Sequence, residues 1–216
     1  MRARLLTLRL FKKPLAKAKQ GRLAVRLVGA GLAGLVLSSC AFLQPPEAPR
    51  ETFEISAPTR ISGLAGRTGA QILVKTPTSL KSIDSERMIL RPSPSVVTYI
   101  AGAQWSDTVP QMVQAKLVET FENTGATGAT ARPGDGLVID YQLVSDIRRF
   151  EIANGTATID ISIKLLADGT GKVRETRIFT GTARTIGSDA ADYVAAFDAA
   201  FDSVAADIVR WVVRRV

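Results

Sequence analysis

Apolar side chains between residues 107 and 123 recur at helical spacing: Val109, Met112, Val113, Leu117 and Phe121. That spacing predicts a helix from Asp107 to Asn123 with one buried face. Thr108 and Gln111 stand at capping-box spacing, and Pro110 falls in the first turn, where a missing N–H costs little. Gly125 is placed to end the helix. A longer stripe, Tyr193, Phe197, Phe201, Val204, Ile208 and Trp211, predicts a second helix from Asp189 to about Arg214, with Ser188 as its N-cap. Asp189 and Asp192 near its start, and Arg210, Arg214 and Arg215 near its end, suit the helix dipole.

Elsewhere the period is two. Phe53-Glu54-Ile55-Ser56 reads as a short strand and Gln71 to Lys75 as a second. Glu86 to Leu90 and Val96 to Ile100 read as a pair joined by a Pro-Ser-Pro turn. Leu137, Ile139, Tyr141 and Leu143 share one face of a later strand, with Asp140 and Gln142 on the other. Asn154-Gly155 is a hairpin signal, because both turn positions accept positive φ. Beyond it Ile159, Ile161, Ile163 and Leu165 alternate with Thr158, Asp160, Ser162 and Lys164. Asp168-Gly169 and Gly171 turn the chain again, and Lys172 to Ala183 returns. The order is four strands, helix, three strands, helix. It predicts a single mixed α/β domain over 52–216, with a largely antiparallel sheet packed by two main helices and one wet sheet face.

The start of the chain follows another pattern. Residues 1–39 carry nine of the 28 basic residues and no acid. The formal charge of +8 therefore belongs to that segment, and the remainder holds 19 basic against 20 acidic residues, a net of −1. An apolar run of 11 residues, Leu27 to Leu37, follows the last of these charges. A membrane span needs roughly 20 residues, so the run reads as the apolar region of a secretory signal peptide. It ends in Leu37-Ser38-Ser39-Cys40, which resembles the lipobox of bacterial lipoprotein precursors. The resemblance implies diacylglycerol on the Cys40 thiol and cleavage before it. One acyl chain binds a membrane marginally and two anchor stably. Residues 40–51, with three prolines, read as a lipidated cysteine and tether reaching up to roughly 30 Å. Ala41 after the cysteine leans toward outer-membrane sorting.

Candidate chemistry is sparse. The chain has no histidine and one cysteine. That excludes a Ser-His-Asp triad, a Cys-His pair, imidazole metal ligands and an internal disulfide. No catalytic residue, metal site or cofactor is expected, and the chain is read as non-enzymatic. Gly63, Gly66 and Gly69 lack the spacing of a phosphate-binding fingerprint and read as a mobile loop. Asp84 with Glu86, and Asp198 with Asp202, are acid pairs with no partner in the pattern, read as solvated loop and wet helix face. Arg148-Arg149 and the arginines of the last helix could meet lipid headgroups or an acidic partner. Nucleic acid is not expected, because the charge after residue 39 is close to zero.

Tyr99 to Pro110, with Trp105 at its centre and the helix ending near Phe121, resembles the auxiliary lipoproteins of ABC-type transport systems, the paraquat-inducible C-type lipoproteins. Their first strand resembles Phe53-Glu54-Ile55 and their second Ile72-Leu73-Val74. The sequence departs from them at Phe53, where tyrosine is common, and at Gln104, where a basic residue often precedes the tryptophan. The resemblance implies a periplasm-facing, outer-membrane accessory of a lipid transport system. Its implied partners are an MCE-family substrate-binding protein with its ABC permease and ATPase. Tyr99, Trp105, Arg148 and Arg149 are the candidate docking residues, and a homo-oligomer is also expected. A lipoprotein that regulates cell-wall synthesis is the alternative reading.

Overall fold

In the computed structural model of the chain, which describes residues 50–216, six short strands come first. They are β1 (Glu51–Phe53), β2 (Gln71–Val74), β3 (Thr78–Ser79), β4 (Ile89–Ser93), β5 (Val96–Tyr99) and β6 (Ala103–Trp105). Helix α1 (Val109–Thr124) and strand β7 (Ala129–Ala131) follow. Three long strands, β8 (Tyr141–Ala153), β9 (Thr156–Ala167) and β10 (Lys172–Arg184), lead into helix α2 (Ala190–Val213). The mixed α/β class is as expected. The strand count is not: β3, β6 and β7, two or three residues each, are too short to show a period of two. The signal peptide read at 1–39, the lipobox residues Leu37, Ser38, Ser39 and Cys40, and the tether before residue 50 lie outside the described residues.

The sheet is built outward from β8. On one edge β8, β9 and β10 form an antiparallel meander. Its first turn is Asn154-Gly155, both with positive φ, 49° and 65°, the pairing that matches strand twist in a two-residue hairpin. The other edge of β8 is shared by three parallel segments. β2 lies against Tyr141–Leu143, β3 against Asp146–Ile147 and β4 against Glu151–Ile152. β5 returns antiparallel to β4, and β7 runs parallel to β2. β1 and β6 form a separate parallel pair.

A bulge lies between Ile147 and Arg149, where β8 carries one more residue than β9. Before it the odd-numbered residues Leu143, Ser145 and Ile147 are buried. After it the even-numbered Phe150 and Ile152 take the core positions. Arg148 is the extra residue. The strand itself begins at Tyr141, so the alternation expected from Leu137 does not extend that far. Leu137 and Val138 lie in the preceding loop, with Val138 83% exposed.

Both helices pack on the inner face, and both start differently from expectation. Thr108 is the N-cap of α1 but its side chain makes no capping bond. Asp107 Oδ1 accepts the Thr108 N–H at 2.6 Å, the donor that Gln111 would have used. α2 is capped by Asp189, whose carboxylate accepts the Asp192 N–H at 2.8 Å while Asp192 returns to Asp189. Ser188 would put Ala191 at the reciprocating position, and alanine has no acceptor. α2 crosses β10 so closely that a Cβ on Gly181 would stand 2.1 Å from the Ala200 carbonyl oxygen. Three aromatic rings close the core at one end of α2. Phe150 and Phe197 stack at 4.7 Å, and Trp105 meets them edge-on at 5.7 and 5.3 Å. At the other end Trp211 packs on Phe179 and donates its indole N–H to Glu175 at 3.0 Å.

Two outcomes follow for stability. Gly181→Ala forces α2 and β10 apart and lowers unfolding free energy by about 1–3 kcal/mol. Gly169→Ala, with nothing within 4 Å, stays within about 0.5 kcal/mol; equal urea midpoints for the two variants would contradict the close-approach argument. The second concerns acid. The Trp211 hydrogen bond, then the Arg215 guanidinium, hold the Glu175 carboxyl below its usual 4.5. A depressed acid stabilises the fold above its unfolded pKa, and that contribution is lost as pH falls through the folded one. Glu175→Gln keeps an acceptor for the indole but cannot titrate. Its stability, followed by tryptophan emission, should therefore fall less steeply than the parent's below pH 4.5.

Candidate docking face

The bulge that turns Phe150 inward turns Arg149 and Glu151 outward. Register then fixes their neighbours on the outer face of the sheet. Arg149 pairs with Asp160, Ile89 with both Glu151 and Tyr99, and Glu151 with Thr158. Arg91, two residues beyond Ile89, joins the same face and donates from Nε to Glu151 Oε2 at 2.7 Å. Arg149 donates from Nε to Asp160 Oδ2. Arg87 stacks on the Tyr99 ring, its guanidinium carbon 3.7 Å from the ring centre, close enough for a cation–π contact.

Of the four residues read as docking candidates, Tyr99 and Arg149 therefore share this face. Arg148 projects from the bulge, half exposed, with Asp146 at 4.0 Å. Trp105 is a correction: it is fully buried, and its indole offers no surface to a partner. The expected wet face is also only partly wet. Glu151, Thr158, Asp160 and Ser162 are all less than 10% exposed. β9 lies between β8 and β10, so its small outward side chains sit below the longer ones beside them. Arg87, Arg91, Glu151 and Asp160 were not among the docking candidates read from the sequence. The signal that could have found two of them is the Arg148-Arg149 doublet, which breaks the alternation of β8 where a bulge belongs.

The remaining acids and loops serve structure. Asp84 pairs with Lys81 at 2.7 Å, and the Glu86 carbonyl accepts the Trp105 amide. Asp198 accepts the Ser56 N–H at 2.7 Å and so ties the segment after β1 to α2. Burial pushes the Asp202 carboxyl up, with Asp198 adding to the effect. Arg210 donates to the Ser62 carbonyl and Arg215 pairs with Glu175, so both are engaged within the chain. Gly69 belongs to a close crossing: a Cβ on Gly128 would stand 2.2 Å from the Gly69 carbonyl oxygen. Among the described residues no group of three His, Cys, Asp or Glu could hold a metal ion. No helix among them is long and apolar enough to cross a membrane.

The fold and this face define a mixed α/β domain with a polar sheet face carrying paired arginines. The family model for the ABC-type transport auxiliary lipoprotein component matches residues 53–209, and the chain belongs to that family. A Xanthomonas campestris protein of known crystal structure is 29% identical, with a TM-score of 0.71 over 76% of this chain and 95% of that one. A second crystal structure, of an uncharacterized protein, shares the fold at 13% identity, with a TM-score of 0.62 over 76% of this chain and 99% of that one. An uncharacterized protein of Bradyrhizobium diazoefficiens is 32% identical over 174 residues, 78% of this chain. The chain spans about half the length of that curated relative, 46%.

Removing Arg91 leaves Glu151 buried without its cation. Arg91→Met should cost about 2 kcal/mol, less than a fully buried pair because Arg91 is partly solvated. Adding Glu151→Gln removes the stranded charge and should restore at least half of that loss in a urea titration. A double variant no more stable than Arg91→Met would show that the carboxylate does not depend on its arginine.

Proposed function

We propose that the chain is a lipid-anchored, non-catalytic accessory of an ABC transporter. In this reading the transporter moves lipid with an MCE-family substrate-binding protein, and this chain docks the apparatus at the outer membrane. The family match over residues 53–209 carries the reading. The Leu37-Ser38-Ser39-Cys40 sequence supports the anchor, since two acyl chains on Cys40 suffice for stable attachment. The absence of histidine from the whole chain and the structural engagement of Asp84, Glu151, Asp160 and Asp198 support a binding role over a catalytic one. Ala41 supports sorting to the outer membrane, where the tether would hold the domain on the periplasmic side.

Purification of the tagged full chain from detergent-solubilised membranes should recover an MCE protein together with an ABC permease and ATPase. A chain that purifies alone under conditions that keep the transporter intact counts against the assignment. Cys40→Ala should accumulate as unprocessed precursor without lipid. Normal processing of that variant would end the lipoprotein reading.

A further inference from the structure

A groove of about 540 Å³ opens on the outer face, between the β4–β5 turn and the β8–β9 hairpin. Arg91, Pro94, Arg149, Glu151 and Asn154 are among its lining residues. We propose that this groove binds a phosphate-type oxyanion, carried by a phosphodiester headgroup or by free phosphate.

The argument starts with the two carboxylates beneath it. Glu151 and Asp160 are 4% and 8% exposed, and acids are rarely buried so far unless paired. Each accepts from the Nε edge of one arginine, Glu151 from Arg91 and Asp160 from Arg149. The arginines are thereby held on their inner edges. Arg91 gives one Nη to the Pro94 carbonyl at 3.1 Å, and among the described residues the Arg149 side chain hydrogen-bonds to Asp160 alone. The Arg149 side chain is 49% exposed and lines the groove, with its Nη donors left over from the bond to Asp160. A guanidinium fixed on one edge presents the other as a planar fork, which fits two oxygens of an oxyanion. Glu151 lines the groove with its carboxylate engaged by Arg91, Asp160 lies outside the lining, and together the two acids cancel the two positive charges. Recognition must then rest on donor geometry at short range.

An acidic peptide fits less well. The strands that line the groove, β4 and β8, are each paired on both sides, so an extended chain finds no free edge on either, and β5, paired with β4 alone, contributes no lining residue. A compact oxyanion needs none. The inference does not rest on the transporter assignment, because the site lies within this chain alone.

The test uses the full chain in neutral detergent, titrated calorimetrically with inorganic phosphate, with glycerophosphoglycerol (a soluble phosphodiester headgroup) and with glycerol. Saturable binding of one or both anions at millimolar or tighter dissociation constants, with no response to glycerol, is expected. Tighter binding of the phosphodiester assigns the source to a headgroup; tighter binding of phosphate assigns it to the free ion. Arg149→Gln combined with Asp160→Asn removes the fork together with its buried acid, and should weaken binding about tenfold or more. If that variant does not fold, Arg91→Lys is read instead; it keeps the charge but loses the fork, and a weakening of about fivefold is expected. The proposal is overturned if neither anion saturates by about 10 mM, or if the variant that is read binds as the parent does. It is equally overturned if an acidic hexapeptide binds more tightly than both anions.

Discussion

One extra residue in β8 decides which side chains of this domain meet the core and which meet the outer face. In a strand a one-residue shift exchanges the two faces. Without the bulge between Ile147 and Arg149, the parity set by Leu143, Ser145 and Ile147 would carry Arg149 and Glu151 inward and Phe150 outward. With it, Phe150 reaches the stacked position against Phe197 and the edge of Trp105. Those three rings come from β6, β8 and α2, segments far apart in sequence. Each aromatic pair contributes about 0.5–1.5 kcal/mol beyond its buried area, so the bulge sets where the chain's distant parts join.

The same residue sets the electrostatics of the opposite face. A carboxylate is costly to bury alone, and the face holds two. Glu151 and Asp160 are tolerated because Arg91 and Arg149 reach them from within the same sheet. The pairing does not make the face strongly stabilising, since desolvation offsets much of the Coulomb attraction. It fixes orientation instead. Two long, rotatable arginine side chains are held by their Nε edges, which lowers the entropy that a later contact would have to spend.

Helix positions were legible in the sequence because each helix buries one stripe, and stripes such as Phe197, Phe201, Val204 and Ile208 survive any detail of packing. The meander was legible for the same reason, helped by a turn that only Asn-Gly or its equivalents form readily. The caps were harder to read. Two acceptors compete for each free amide, and at Thr108 the neighbouring Asp107 wins over Gln111. Strands β3, β6 and β7 were invisible because pairing, and not pattern, makes them strands. The docking face was half legible. Tyr99 and Arg149 stand 50 positions apart, and only the register of β4, β5 and β8 places them together. Trp105 misled because a tryptophan beside a helix start is as well suited to closing a core as to meeting a partner.

The charge distribution limits what this face can do. After residue 39 the chain carries 19 basic and 20 acidic residues, and two arginines of the face, Arg91 and Arg149, are matched by buried acids. Long-range steering toward an anionic surface is therefore weak, and at physiological salt it is screened beyond about 8 Å. A domain built this way does not find its partner through its field. The expected anchor, two or more acyl chains on Cys40, would instead confine it near a membrane, where a short tether raises the effective concentration of whatever lies within reach. Under that confinement modest affinity is enough, and selectivity can come from the angle of two guanidinium groups. Attachment and recognition are then separate tasks, one assigned to the lipid and the other to the geometry that the bulge in β8 creates.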